Sequence, residues 1–343
     1  MFDPAPIFDP ARWRVSAIIP SYNRADFLAE TIATLLAQTQ PPHEIIVVDD
    51  GSTDETAAVV AKFGSAVRYQ RIENSGAPVA RNVGAAMATG DWLWFCDSDD
   101  LWRPEFLSRI RAVAETAPYP QFLFGNFQLV RNGAWETGTK FATAPKGFWE
   151  AIASQKVEGG TIFTEPLYPH LLKFQPIFPS TIVMTKALYD SVGGFDAKFA
   201  RTASEDFEFT LRCVAEAPVG MIETSLVGVR RHGGNFSGNQ LKNLLGEVKI
   251  LRHAKIHHSA APRYGAQIDA DIRRRNLEAL ELAFSNGDYP LVRSLAGEIG
   301  SNWLGFKSRL KVFLAALPQF IRTPFVALAL RLNPSSVPQG SDK

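Results

Sequence analysis

One segment of the chain reads Trp92-Leu93-Trp94-Phe95-Cys96-Asp97-Ser98-Asp99-Asp100 and joins an apolar run directly to three carboxylates. The apolar run predicts a buried strand that delivers the acids to its carboxyl end. Crowded carboxylates repel one another and resist desolvation, so we expect a cation beside them. Without a neighbouring His or Cys cluster, Mg²⁺ or Mn²⁺ fits better than zinc. The alternative is a solvated acidic loop at a helix N-terminus.

The composition is that of an ordinary globular protein, with 343 residues, 46% of them hydrophobic and 21% charged. The net charge of +1 argues against a general nucleic-acid binder. Cys96 and Cys213 lie in apolar contexts and are predicted to be reduced thiols, which favours a cytoplasmic location. The first fifteen residues lack the features of a signal peptide. The sequence contains no run of eighteen or more apolar residues, so we expect no spanning helix.

Strand and helix patterns alternate over the first hundred residues. Strands are predicted at residues 15–20, 44–48, 67–70 and 91–96, with helices between them. Ser52 and Glu55 form a capping-box pattern for the second helix, and Gly90 is placed to end the third. This order predicts an α/β fold with a mostly parallel, Rossmann-like sheet flanked by helices. Because ligands bind beyond the carboxyl ends of such strands, the polar clusters that follow them are predicted to converge on one edge.

The pattern changes after residue 120. A hairpin is predicted across Asn132-Gly133, followed by strands at residues 180–184 and 227–230 and by a helix that begins near Glu205-Asp206. From about Asn239 the chain is polar and helical, which predicts a helical C-terminal extension. Residues 303–332 combine large apolar and basic side chains, although Pro318 and Pro324 break any long helix. This segment is either a helix in the membrane interface or a helix pair packed on the main domain.

Five motifs occur in order: IPSYNR at residues 19–24, VDDGSTD at 48–54, NSG at 74–76 with ARN at 80–82, DSDD at 97–100 and ED at 205–206. Over roughly residues 14–237 the chain resembles the family 2 inverting glycosyltransferases of the GT-A fold. The resemblance implies an N-terminal extension at residues 1–13, a GT-A domain at 14–237 and a helical region at 238–343. Residues 303–332 of that region are candidates for membrane association.

The resemblance implies a metal-dependent inverting glycosyltransferase of the hexosyltransferase type, using Mn²⁺ or Mg²⁺. Such an enzyme moves a sugar from a nucleotide-diphosphate sugar, with a UDP-sugar as the family default, to a hydroxyl of a glycan or lipid-linked acceptor. Cell-envelope polysaccharide biosynthesis is the implied setting. The expected location is the cytoplasm, with peripheral contact at the inner face of the cell membrane.

The resemblance also assigns residues to the donor. Asp50, with Asp49 beside it, is expected to accept from the base edge, and Tyr22 to stack on the base unless it is a core tyrosine. Arg81 is expected to pair with the phosphates or with the acidic cluster. The remaining donor-site candidates are Pro20, Asn23, Asn74, Asp97 and Ser98.

The metal and the catalytic base are assigned in the same way. Asp99 resembles the metal ligand, and Asp97 contacts the ribose or supports the metal. Asp100 either supports these ligands from behind or caps a helix. His232 is expected to bind the metal or the diphosphate, or to be structural.

Inversion needs a base on the face opposite the leaving nucleotide, and Asp206 resembles that base. Glu205 is expected to bind the acceptor or to raise the pKa of Asp206. The alternative is that both acids only favour a helix N-terminus.

Two other functions compete. A nucleotidyltransferase that makes nucleotide sugars would need a Gly-rich basic loop after the first strand, where residues 20–24 read PSYNR instead. A non-catalytic glycan-binding module on the same fold is opposed by the presence of both acidic motifs. A dinucleotide-dependent oxidoreductase is disfavoured because no GxGxxG motif follows the first strand.

Overall fold

The computed structural model describes residues 8–232, 239–319 and 321. The chain divides into two units, residues 1–235 and 236–343. Within the described residues the strands are β1 (Val15–Ser21), β2 (Glu44–Asp49), β3 (Arg68–Arg71), β4 (Trp92–Phe95), β5 (Leu101–Trp102), β6 (Phe122–Arg131), β7 (Ala134–Thr139), β8 (Ser154–Val157), β9 (Gly160–Phe163), β10 (Ile182–Thr185) and β11 (Val219–Arg230). The helices are α1 (Ala25–Leu36), α2 (Thr56–Ala61), α3 (Ala77–Met87), α4 (Phe106–Ala114), α5 (Tyr168–Leu171), α6 (Lys186–Val192), α7 (Glu205–Cys213), α8 (Gln240–His257), α9 (Ala261–Ser285), α10 (Tyr289–Ile299) and α11 (Phe306–Ala316).

The first unit is built on one sheet whose N-terminal half is parallel. Its order begins β3-β2-β1-β4, and every pairing among these four strands is parallel. All seven residues of β1 are buried, as expected for a central strand covered on both faces. The four predicted strands are therefore present, although β1 continues one residue past Pro20.

The rest of the sheet is mixed. β10 lies antiparallel between β4 and β6, while β11 runs parallel to β6 and antiparallel to β9. The α/β fold class is confirmed, and the parallel character is confined mainly to the N-terminal half. The hairpin between β6 and β7 is also confirmed, with φ of 50° at Asn132 and 78° at Gly133, the left-handed pair that such a turn requires.

The predicted capping box is wrong. α2 begins at Thr56 rather than beside Ser52. Ser52 instead joins two strand ends, because its hydroxyl accepts from the backbone N–H of Asn23 at 2.9 Å and its own N–H donates to Asp49 Oδ1 at 2.7 Å. Tertiary contacts at the sheet edge thus replace the local capping interaction.

Two glycines set the approach of α3 to the sheet. Gly90 does not end α3, which stops at Met87. A Cβ at position 90 would lie 2.4 Å from the carbonyl oxygen of Arg14, so a side chain is excluded there. A Cβ at Gly84 would lie 2.4 Å from Ile18 Cγ2, so glycine lets the helix pack directly on β1.

The second unit contains α8 to α11. Asn239 is the N-cap of α8, and its side chain accepts from the N–H of Lys242 at 2.9 Å. A separate apolar core between these helices includes Leu280, Val292 and Leu295. In the part of the chain that the structure describes, no helix combines the length and apolarity needed to cross a membrane.

Glu44 joins several elements at the end of the sheet opposite the predicted site. Its carboxylate accepts from the Ser16 hydroxyl at 2.8 Å, from the N–H and hydroxyl of Thr89 at 2.6 and 2.7 Å, and from Arg68. Burial acts to raise the pKa of Glu44, but these hydrogen bonds outweigh it and lower the pKa to about 2. Because the pKa is depressed, the ionised form stabilises the fold above pH 4.5, and this contribution is lost as the pH falls toward 2.

We therefore expect Glu44→Gln to lower the free energy of unfolding at pH 7 by about 1–3 kcal/mol. Urea unfolding at pH 7 and pH 3 measures the effect, and the difference from the parent should shrink at the lower pH. Glu150→Gln, at an exposed position, is the control and should match the parent at both values. Equal stability of Glu44→Gln and the parent at pH 7 would contradict the assignment.

Candidate active site

A buried arginine joins two acidic motifs at the carboxyl edge of the sheet. Arg81 lies on α3 and is 3% exposed. Its Nη2 donates to Asp97 Oδ1 at 2.7 Å, just after β4, and its Nη1 donates to Glu205 Oε1 at 3.3 Å, at the start of α7. The guanidinium also lies 5.1 Å from the centroid of the Phe195 ring. Of the two partners considered for Arg81, the acidic cluster is the one that it contacts in this structure.

The charges around Arg81 set the protonation of Asp206. Burial disfavours the Arg81 cation, yet Asp97 and Glu205 raise its pKa above the ordinary value. Asp206 is half-buried in the first turn of α7. Burial first, and then the charge of Glu205, raise the pKa of Asp206 to about 8, against the lowering effect of Arg81. A carboxylate with such a pKa is well matched to accepting a proton near neutral pH.

Side chains from two other strand ends surround Asp99. His232 Nε2 lies 2.9 Å from Asp99 Oδ2, and Arg24 Nε lies 3.4 Å from the same oxygen. The His232 ring stacks on Phe27 with the centroids 4.5 Å apart, which holds the imidazole in place. Arg24 has no role in the sequence-based assignment, although its place directly after β1 puts it at this edge. Residues 233–237 of the loop that follows His232 lie outside the described residues.

Asp100 supports the acidic segment from the interior. It is 1% exposed and accepts from the Ser180 hydroxyl and, at 3.0 Å, from the N–H of Arg230. Burial and the charges of Asp99 and Asp97 raise the pKa of Asp100 well above its usual range, against these two hydrogen bonds. The helix-capping role is wrong, because α4 begins at Phe106 and Asp100 lies outside its first turn.

Ser180 contributes a second support, since its hydroxyl also accepts from the N–H of Asp97 at 3.1 Å. Its carbonyl accepts from Trp102 Nε1 at 2.9 Å, and Trp102 is buried in the core. Ser180 therefore fixes the backbone from which the carboxylates project.

Two buried carboxylates lie at the end of β2, Asp49 as its last residue and Asp50 directly after it. Both oxygens of Asp50 are used, because they accept from the backbone N–H groups of Ser75 at 2.7 Å and Gly76 at 2.8 Å. Asp49 accepts from the N–H of Ser52 and from the Tyr69 hydroxyl. A carboxylate has about four acceptor positions, so Asp50 retains capacity for another N–H. Its role toward a base remains a prediction.

The loop after β1 presents an aromatic ring to solvent. Tyr22 is 46% exposed, so the alternative of a core tyrosine is wrong. Asn23 next to it has φ of 51°, and its Oδ1 accepts from the N–H of Thr53 at 2.7 Å. The loop is thereby fixed to the segment that follows β2, with the Tyr22 ring left accessible.

The remaining donor-site candidates occupy different environments. Pro20 is buried within β1, paired in register with Val48, so it contributes to the strand. Asn74 is exposed beside the loop that binds Asp50. Ser98 is buried, and its carbonyl accepts from the Thr31 hydroxyl at 3.1 Å. No role of these three residues toward a ligand follows from their contacts.

Asn82 explains why Arg81 reaches α7. Its Nδ2 donates to the carbonyl of Phe195 at 2.8 Å, and its Oδ1 accepts from the Phe195 N–H at 2.9 Å. The Tyr189 hydroxyl donates to the same Oδ1. Two adjacent residues of α3 therefore fix this region: Asn82 binds the segment before α7, and Arg81 binds Asp97 and Glu205.

Asp99 and His232 lie at a spacing that suits a divalent cation, whereas Asp97, Asp99 and His232 do not form a group of three within ligand distance among the described residues. Two ligands at right angles on an ion with bonds of about 2.1 Å stand about 3 Å apart. His232 Nε2 and Asp99 Oδ2 lie 2.9 Å apart, which matches this spacing. Carboxylate oxygen with imidazole nitrogen is a donor set suited to Mn²⁺, and carboxylates alone suit Mg²⁺.

The family model described as glycosyl transferase family 2 matches residues 16–149, which contain the first four motifs. An uncharacterised glycosyltransferase of Rickettsia felis is 29% identical over 70% of this chain, which spans 41% of that relative's length. Escherichia coli WfaP, named a UDP-Glc:alpha-D-GlcNAc-diphosphoundecaprenol beta-1,3-glucosyltransferase, is 29% identical over 71% of this chain and 88% of its own.

The crystal structure of S. aureus TarS 1–349 in complex with UDP-GlcNAc is similar in fold. Its TM-score is 0.62 at 19% identity, covering 83% of this chain and 80% of that one. The motifs, the sheet and these similarities agree: residues 16–149 form a glycosyl transferase family 2 domain, and the chain has the GT-A fold.

Proposed function

We propose that this protein is a metal-dependent inverting glycosyltransferase that moves a sugar from a UDP-sugar to a hydroxyl of a lipid-linked or glycan acceptor. One observation carries the proposal: Arg81 binds Asp97 of the acidic segment and Glu205 beside Asp206. A donor-binding carboxylate and a proton acceptor with a pKa of about 8 therefore share one site. A sugar transfer with base catalysis needs these two groups close together.

On the donor side, the exposed Tyr22 ring stacks on the base and Asp50 accepts from the base edge. Both residues are held by backbone hydrogen bonds around them, so the base site is formed before the ligand arrives. Uracil is supported by relatives, since WfaP is named for UDP-Glc and TarS was crystallised with UDP-GlcNAc and with UDP.

Asp99, Asp97 and His232 would hold a Mn²⁺ or Mg²⁺ ion. When bound, the ion supplies charge neutralisation for the leaving diphosphate. Arg24, next to Asp99, adds a positive charge on the same side. Asp100 and Ser180 keep the ligands in position through the buried contacts described above.

Asp206 is the catalytic base of the proposal. It removes the proton of the acceptor hydroxyl as the oxygen attacks the anomeric carbon from the face opposite the departing nucleotide, which inverts the configuration. Glu205 keeps the pKa of Asp206 high, so the base is strong enough to take the proton. Arg81 limits that rise and holds the base motif at a fixed distance from the donor.

A lipid-linked acceptor and cell-envelope polysaccharide biosynthesis are supported by the name of WfaP, which matches 71% of this chain. A reducing compartment is supported by Cys96 and Cys213, which are both free and buried. The proposed location is the cytoplasm, at the inner face of the cell membrane.

We expect Asp99→Asn to lose the Mn²⁺ dependence of UDP binding, because it removes one ligand charge from the ion site. Calorimetric titration of UDP with and without Mn²⁺ measures this, and a thermal-shift series of nucleotide sugars identifies the preferred donor. Asp190→Asn, an exposed acid on α6, is the control and should bind like the parent. Unchanged Mn²⁺-dependent binding by Asp99→Asn would overturn the metal assignment.

We expect Asp206→Asn to lower kcat by about 10²–10⁴-fold, because it removes the base. UDP binding by the folded variant should be retained. Transfer near the parent rate would show that another group is the base.

The pH profile tests the same assignment in a second way. A base with a raised pKa is deprotonated only as the pH rises, so kcat/KM of the parent should increase through a pKa near 8. Glu205→Gln removes a negative neighbour and should move this limb to lower pH. The profiles are compared at saturating Mn²⁺, and a limb that stays in place or moves upward would contradict the role of Glu205.

A further inference from the structure

α11 presents three large apolar side chains to solvent. Phe306 is 83% exposed, Leu310 47% and Phe313 61%. These positions follow the i, i+4, i+7 spacing that places residues on one helix face, and we call them the outer row. In an ordinary surface helix such a row would face the core. The outer row is thus a second apolar face of α11, and it is left exposed to solvent.

The opposite face of α11 fixes the helix to the second unit. Ala315 is fully buried and its carbonyl accepts from Arg293 Nη1 at 2.7 Å. Ser308 donates to Glu281 Oε1 at 3.2 Å, and Lys311 pairs with the same carboxylate. Leu314 and Ala315 on this face are buried in the apolar core of the unit, and the polar contacts add to their hold, while the outer row remains exposed. Exposure of the outer row to water is unfavourable, and another surface that covers the row would remove this cost.

The charges around the outer row define what covers it. At 100° per residue, the exposed Lys307 and Arg309 lie on either side of the row. Residues 301–341 contain no Asp or Glu and include Lys307, Lys311, Arg322 and Arg331 besides Arg309, in a chain whose net charge is only +1. Trp303, at the start of this segment, is 60% exposed and lies 4.3 Å from the Arg273 guanidinium. Apolar side chains, an aromatic ring and flanking cations without acids match an anionic lipid surface.

We propose that α11 lies on an anionic membrane surface with Phe306, Leu310 and Phe313 inserted among the lipid headgroups. Lys307 and Arg309 contact the lipid phosphates on both sides of the inserted row. The helix lies in the plane of the interface, which agrees with the finding that no helix of the described residues is able to span a bilayer. The inference stands on α11 alone and does not depend on the proposed transfer reaction.

Sedimentation of the full chain with lipid vesicles tests the proposal in the absence of nucleotide. We expect binding to equimolar phosphatidylcholine and phosphatidylglycerol vesicles, weaker binding to phosphatidylcholine alone, and weakening by salt. The triple variant Phe306→Ser/Leu310→Ser/Phe313→Ser should lose at least about tenfold in partitioning, because it removes three inserted side chains. Ile256→Ser is the matched control, since Ile256 is 75% exposed on α8 of the same unit, and it should bind like the parent.

Because the changed positions are exposed, the triple variant should unfold thermally like the parent and bind UDP equally well. Equal vesicle binding by the parent and this variant, or no binding by either, would overturn the proposal. A parent that is a dimer in light scattering and becomes a monomer in the triple variant would assign the outer row to a second copy instead. Hydrogen-exchange protection of α11 without vesicles, lost on deletion of residues 322–343, would assign the row to that segment.

Discussion

The guanidinium of Arg81 is the constraint on which the site depends. Asp97 and Glu205 come from different elements, and with Asp206 they form a group of like charges that would separate without a cation between them. Arg81 provides that charge from within the protein, at 3% exposure. Removing one member of such a buried set leaves the others uncompensated, which is more costly than never having buried them. The spacing between Asp97 and the pair Glu205 and Asp206 is therefore set within the folded chain.

The motif residues divide into those whose side chains are accessible at the sheet edge and those that support the structure around them. Tyr22 is accessible, whereas Asp100 and Asn82 use their polar atoms on protein groups. A sequence motif does not distinguish the two kinds, because polar residues of the same types occur in both. The second unit adds a different property, the exposed apolar outer row that we propose to lie on a membrane surface. If the acceptor is carried on a lipid, the first unit would carry out the transfer and the second unit would hold the protein at the membrane where the acceptor lies.

Apolar runs were sufficient to predict the parallel strands, because burial on both faces leaves a continuous signal in β1, β2 and β4. Helix ends were less predictable. Ser52 binds Asn23 and Asp49 across the sheet edge, and position 90 is a glycine because the Arg14 carbonyl leaves no room for a side chain. These contacts depend on which strands become neighbours in the sheet. The site motifs were predicted in order, but the hydroxyl of Ser180 and the guanidinium of Arg24 enter through tertiary contacts that spacing does not reveal. In the mixed half of the sheet the β6–β7 hairpin was predicted, whereas the antiparallel position of β10 between β4 and β6 was not, for the same reason.

The absence of a side chain at Gly84 has a consequence for electrostatics. Gly84 lies about one turn beyond Arg81 on α3 and allows the helix axis to approach Ile18 without a gap. A methyl group there would push α3 outward and carry the positive charge away from its two carboxylates. The close contact between α3 and β1 thus fixes the position of the Arg81 charge, and through it Gly84 influences the pKa of Asp206.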